Sequence, residues 1–348
     1  MAPLSTAVLT TLLVTTSLAQ STERVWSSVA WILYGDRTPL LSDNPTLTPL
    51  GAQQLLSQGT ALRNRYLWKS TPVDSDSSGD NIDNNDLNDI APIHAIERNA
   101  INNRQLKAMT TTDTYTLASA MAFFQGLYPP ITQAISNATG GLQAATLANG
   151  TIINYPLDGY QYPHIQTVSR LFNPNSIYLD GSSHCPSFLQ AMMNFSSEST
   201  PSSNLSSSSS FYASLYPRIF NSSSLPLNQL DFRQAYNIYD YASYQHTHNP
   251  ALSDQFAEGE LPRLRELASS EIRSRHGNLS LPIRSIAGRT LATQTRSLLL
   301  ENIRSAGYTN KLNLMFTSFE PFMAFFALAK LDAGASRELF RELPYPGG

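Results

Sequence analysis

Residues 31–39 read WILYGDRTP. They close an apolar, aromatic-rich run from Trp26 to Tyr34 that reads as a buried strand. The run empties into a Gly35-Asp36-Arg37-Thr38-Pro39 turn. Thr48-Pro49-Leu50-Gly51 then opens a helix predicted to reach about Trp68, with Leu55, Leu56, Leu62 and Tyr66 as its apolar positions. Strand, tight turn and helix in that order are the start of an α/β domain.

The pattern recurs further along. Ala91 to Ile96 is a candidate second strand and Tyr115 to Gly126 a candidate helix, stopped by Gly126 with Pro129-Pro130 beyond. Helices are predicted around Leu227 to Tyr244, Gln255 to Arg275 and Ile283 to about Ser305. A short strand, Leu312 to Phe316, precedes a helix over Pro321 to Leu331. Residues 70–90 read as a surface loop, and the Ser-rich tract at 196–210 as low-complexity and mobile. The expected architecture is an α/β core from 20–130 and 250–348 with a parallel sheet, interrupted by a helical or irregular lobe at 131–249.

Charged residues make up 14% of the 348, against about 25% in ordinary domains, so the surface leans on Ser, Thr, Asn and Gln. The net charge of -3 argues against nucleic acid and against a basic membrane tether. Residues 1–19 carry no charged side chain, hold an apolar stretch from Val8 to Leu18, and end on the small-x-small triplet Ser17-Leu18-Ala19. They read as a cleaved secretory signal, cut near Ala19-Gln20, with no membrane attachment afterwards. Asn137, Asn149, Asn194, Asn204, Asn221 and Asn278 each begin an N-x-S/T triplet without proline and are candidate glycosylation sites. Cys185 is the only cysteine, so no intrachain disulfide can form. The histidines lack metal-ligand spacing, and no metal or cofactor is expected.

Residues 33–39, LYGDRTP, resemble the RHGxRxP signature of the histidine acid phosphatases, which include secreted fungal acid phosphatases and phytases. Four further blocks resemble family segments in the family's order: 47–67, 117–130 (LASAMAFFQGLYPP), 287–303 and 312–331. The resemblance implies a phosphoglycerate mutase-like α/β fold of the histidine phosphatase superfamily. In that family the signature histidine attacks phosphorus, arginines clamp the phosphoryl oxygens, and a later His-Asp pair protonates the leaving group. A neutral imidazole suits the attack, and guanidinium forks suit the clamp.

Matched residue by residue, the first arginine falls on Leu33 and the nucleophile on Tyr34. The second arginine is Arg37, a further pocket arginine falls on Tyr115, and the His-Asp pair falls on Phe319-Glu320. A phenol with a pKa of about 10 is a poor nucleophile without a neighbouring base or cation. The expectation is therefore a pseudo-phosphatase. Tyr34, Arg37, Tyr115, Phe319 and Glu320 either pack an empty cleft or line a pocket for a small apolar or aromatic ligand. The alternatives are an active phosphomonoester hydrolase acting through another residue, or a cleft repurposed for another reaction on a metabolite. Arg37 and Glu320 are expected to meet as an ion pair, with Asp36 as competitor.

Other motifs read as structural. Arg275-His276-Gly277 repeats part of the signature, but at a helix end: Arg275 and His276 would face the helix dipole and Gly277 would take a left-handed conformation. His94 reads as a strand residue, and His246 and His248 as polar loop residues. Secreted relatives usually carry several disulfides and continue past the His-Asp block. A late strand and part of the cleft wall are thus expected to be absent from a chain ending at Gly348.

The secretion reading has a direct check. Expressed in a eukaryotic host, the protein should begin near Gln20 and lose mass on N-glycosidase treatment. Retention of Met1, or an unchanged mass, contradicts it.

Overall fold

The computed structural model describes residues 24–68, 91–131, 141–168, 178–183, 185–197, 202–221, 223 and 225–331. The predicted signal, the 70–90 loop and Asn137 lie outside the described residues. One parallel sheet runs in the order β1-β4-β2-β3, from β1 (Ser28–Leu33), β2 (Leu106–Thr111), β3 (Ile165–Val168) and β4 (Leu312–Thr317). Helix α1 (Pro49–Tyr66) follows β1, and α2 (Thr114–Leu127) follows β2. The short α3 (Gly141–Ala145) and α4 (Pro156–Gly159) precede β3. Then come α5 (Pro186–Ser197), α6 (Ser202–Leu215), α7 (Ala235–His248), α8 (Pro250–Ser253), α9 (Glu260–His276) and α10 (Ile286–Arg304), with α11 (Glu320–Leu328) after β4.

Strand alternation sends successive side chains to opposite faces, so the sheet is covered on both sides. Ile32, Ala108, Leu314 and Phe316 join Leu55, Phe123 and Leu127 of α1 and α2 in one core. Met109 and Met315 join Leu291, Leu298 and Phe322 of α10 and α11 in another. A third core, built on Tyr212, Phe220, Phe232, Ile238 and Leu264, fills the helical lobe and reaches Phe319 and Met323 of the sheet domain.

Two glycine contacts set the spacing of α1 and α2. A Cβ at Gly59 would lie 2.0 Å from the Phe123 carbonyl oxygen, and one at Gly126 would lie 1.9 Å from that of Leu56. Gly126 is therefore an interior packing residue; α2 continues to Leu127 and is not stopped by it.

Several sequence expectations need correction. Ala91 to Ile96 is not a strand, because Pro92 lacks an N–H donor and Ala95 turns with φ of 53°, leaving one bridge between Ile93 and Val25. The second strand is instead Leu106–Thr111, LKAMTT, whose modest hydrophobicity hid it. The interval 131–249 is mainly helical but also supplies the edge strand β3. Ser202 to Ser210, read as mobile, form the first part of α6. That helix is held through Tyr212 and Leu215 in the lobe core. Helix α7 begins at Ala235 after two 3₁₀ turns, and α9 begins at Glu260. Asn149, Asn194 and Asn221 are exposed and Asn278 is half-buried. Asn204 lies on the backbone of α6.

A methyl group at Gly126 has no space unless the two helices part. Gly126→Ala should lower unfolding free energy by about 2 kcal/mol, read from urea melts. An unchanged midpoint would contradict the packing account.

Candidate functional site

The strands are parallel, so their C-terminal ends lie together, where such sheets place ligands. The turn after β1, Tyr34 to Thr38, is stapled down at several points. A Cβ at Gly35 would lie 2.5 Å from the Gly51 carbonyl oxygen, and one at Gly51 would lie 2.1 Å from that of Asp36. The Gly35 N–H donates to Ser119 Oγ at 3.1 Å, and the Asp36 N–H donates to Gln54 Oε1 at 2.8 Å. Thr48, the N-cap of α1, accepts from the Gly51 N–H and donates to the Asp36 carboxylate. Backbone approach without side chains and a polar cap thus aim Arg37 in one direction.

Arg37 points into the molecule, and its side chain is 4% exposed. It forms a two-pronged pair with Asp240 of α7: Nη2 to Oδ1 at 2.9 Å and Nη1 to Oδ2 at 3.2 Å. Nη1 also donates to the Thr38 carbonyl oxygen at 2.9 Å. Nη2 also donates to the Tyr34 and Tyr236 hydroxyls at 3.2 and 3.1 Å. Those two hydroxyls lie 3.1 Å apart. The guanidinium carbon sits 4.9 and 5.1 Å from the ring centroids of Tyr34 and Tyr115, which meet edge to face. Tyr236 packs on Phe319 with ring centroids 4.7 Å apart.

The electrostatics follow from burial. Desolvation opposes the charge on Arg37, but the Tyr34 oxygen, Asp240 and Tyr236 outweigh it and hold the guanidinium charged. Burial raises the Tyr34 phenol above its ordinary value; Arg37 pulls it back, while Glu320 and Asp240 push it further up. Tyr236 is raised well above its ordinary value, chiefly by burial. Both phenols therefore stay protonated at neutral pH.

The structure gathers Tyr34, Arg37, Tyr115 and Phe319 at the strand ends, with Leu33 packed below them against the lobe and α10–α11 cores. Glu320 begins α11 close enough to act on Tyr34 and Tyr236 electrostatically. The expected Arg37–Glu320 ion pair does not form. Asp240 takes the guanidinium instead, and Oε2 of Glu320 is buried without a hydrogen-bond partner. Asp36 turns away to Thr48 and to His248, whose Nε2 lies 2.7 Å from Oδ2. His248 and His246 belong to α7, not to a loop.

Sequence reasoning missed Tyr236 and Asp240. Their signal was available: Tyr236, Asp240, Tyr244 and His248 recur every four residues, which on a helix makes one stripe. Tyr236 and Asp240 meet Arg37, Asp240 also accepts from the Leu40 N–H at 2.8 Å, and His248 meets Asp36 while stacking on Tyr244.

The second Arg-His-Gly triplet is structural, with two differences from expectation. His276 is buried against Phe188, and burial followed by Arg275 lowers its pKa to about 3, so it carries no charge to meet the helix dipole. Gly277 caps α9 with φ of -106°, not in the left-handed region. His94 packs edge-on against Trp26. Among the described residues no group of His, Cys, Asp and Glu could hold a metal ion. No described helix is long and apolar enough to cross a membrane.

Fold and site together define a doubly covered parallel α/β protein with a buried arginine beyond its first strand. Residues 22–319 match the family model of the histidine phosphatase superfamily (branch 2), and the chain belongs to that family. Solved structures with a similar fold include the phytase of Klebsiella sp. ASR1, 11% identical with a TM-score of 0.51, covering 88% of this chain and 73% of the other. Hafnia alvei phytase with tartrate is 12% identical with a TM-score of 0.49, covering 88% and 75%. Citrobacter braakii phytase is 14% identical with a TM-score of 0.46, covering 89% and 75%. No curated protein sequence matches the chain.

Removing Asp240 would leave Arg37 buried and unpaired. Asp240→Ala should cost about 3–5 kcal/mol in urea unfolding. Tyr236→Phe, which deletes one hydroxyl, should cost about 1 kcal/mol. Equal effects would show that the carboxylate is not the main partner.

Proposed function

We propose that this chain is a noncatalytic member of its family, a histidine phosphatase fold that has lost phosphohistidine chemistry. The observation carrying this reading is that Arg37, matched to the family's phosphate clamp, already holds an internal carboxylate. An incoming phosphoester must displace Asp240 from a bidentate pair and would then face it as a like charge. The nucleophile position holds a phenol that burial keeps protonated. Without a nucleophile and a free clamp, Glu320 has no leaving group to protonate.

The same contacts weigh on ligand binding in the former cleft. The rings of Tyr34, Tyr115, Tyr236 and Phe319 pack on one another and on Arg37. An apolar ligand would have to part these rings. The reading that fits best is a cleft converted into core. Secretion and N-glycosylation, inferred from the first 19 residues and the sequons, complete the proposal.

Purified protein should hydrolyse p-nitrophenyl phosphate no faster than buffer. Tyr34→His should not restore turnover, because Asp240 still holds Arg37 and the other family cations are absent. Activity that co-elutes with the wild type and disappears in Tyr34→Phe would overturn the proposal.

A further inference from the structure

A concavity of about 390 Å³ opens on the segment that joins α3 to α4. Ala144, Leu147, Ile153, Tyr155 and Pro156 line it, and Asn154 adds an amide. The segment folds back on itself. The Leu147 N–H donates to the Thr151 carbonyl oxygen at 2.8 Å, and the Gly150 N–H donates to that of Leu147 at 2.9 Å. The Ile153 N–H donates to the Ala145 carbonyl oxygen at 2.8 Å. Gly150 takes φ of 83°, the left-handed conformation that closes the turn.

The apolar wall stands open. Leu147 and Ile153 are 50% and 53% exposed, and Tyr155 is 38% exposed. Asp158 is the only charged side chain from Gly141 to Pro163. Apolar side chains grouped at a surface mark a place that something else covers. A wall without charge suits a neutral occupant.

The turn itself offers one. Asn149 is exposed within it and begins the sequon Asn149-Gly150-Thr151. Its Oδ1 accepts from the Thr151 N–H at 3.0 Å. Nδ2, the atom that would carry a glycan, takes no part in that bond. Leu147 lies two residues away and Ile153 four, at most about 7 and 14 Å along the chain.

We infer that the N-glycan of Asn149 folds back over this concavity, its first N-acetylglucosamine units packing on Leu147, Ile153 and Tyr155. These sugars are neutral. Their C–H faces suit a tyrosine ring and aliphatic side chains, and their hydroxyl and acetamide groups suit the Asn154 amide. Tethering holds the sugar at an effective concentration of about millimolar, so weak contacts suffice where a free ligand would need affinity of its own. The inference rests on the secretion and N-glycosylation reading and adds what one particular glycan covers. It uses none of the residues around Arg37.

The test uses the full chain secreted from a eukaryotic host. Peptide mass spectrometry reads occupancy site by site, and bis-ANS fluorescence reads open apolar surface. Asn149 should be occupied. Asn149→Gln and Thr151→Ala break the sequon in different ways, and each should raise dye fluorescence about twofold as the apolar patch opens. Adding Ile153→Ser to Asn149→Gln should remove the gain. Asn278→Gln, at the sequon after α9, should leave fluorescence unchanged. Near-UV circular dichroism checks that the variants keep the fold. Sugar at other sequons with Asn149 bare overturns this inference and leaves secretion standing. So does an occupied Asn149 whose loss changes nothing, or a gain that Ile153→Ser does not remove. Sugar at no sequon overturns both readings.

Discussion

A guanidinium buried beneath the end of the first strand has to be neutralised, and the arrangement around the strand ends depends on how that is done. The turn at 35–37 cannot relax outward, because Gly35 and Gly51 bring two backbones together and Thr48 holds Asp36. Arg37 is therefore committed to the interior before any partner is chosen. In a phosphatase of this family the partner is the substrate. Here it is Asp240, supplied by the helical lobe, together with two phenol hydroxyls. The pair couples the lobe to the sheet domain by charge as well as by packing.

The residues that the family resemblance sets beside Arg37 fit that solution. Phe319 belongs to the lobe's own core, with Leu33 and Tyr236 packed at its margin. The hydrophobic interior of the lobe thus runs without a break into the space where a cleft would need polar walls. Leu33, Tyr34, Tyr115 and Phe319 put an aliphatic chain and rings there, which stabilise by burial. Rings packed on one another and on the Arg37 guanidinium make this part of the molecule cohesive.

Much of the fold was legible in local patterns. The apolar run before Gly35, the Thr48-Pro49 helix start and the Leu312 to Phe316 strand are strong signals, and each element stands close to its expected place. The second strand was not legible. LKAMTT carries little hydrophobic contrast, whereas the apolar residues at 91–96 are bent by Pro92 and Ala95. Strand β3, IQTV, is short and half polar, so only its pairing with β2 reveals it.

For the site, the sequence alone determined which side chains stand where the family resemblance points, since the identity of Leu33, Tyr34, Tyr115 and Phe319 needs no coordinates. It also placed Arg37 at a strand end, because strand and turn are neighbours along the chain. What it could not determine was the partner of that arginine. Glu320 and Asp240 are both carboxylates far away in sequence, and only the docking of α7 decides between them. That docking rests on a four-residue stripe meeting a glycine-tightened turn, a match between two surfaces that are remote along the chain and become neighbours only when the lobe folds against the sheet.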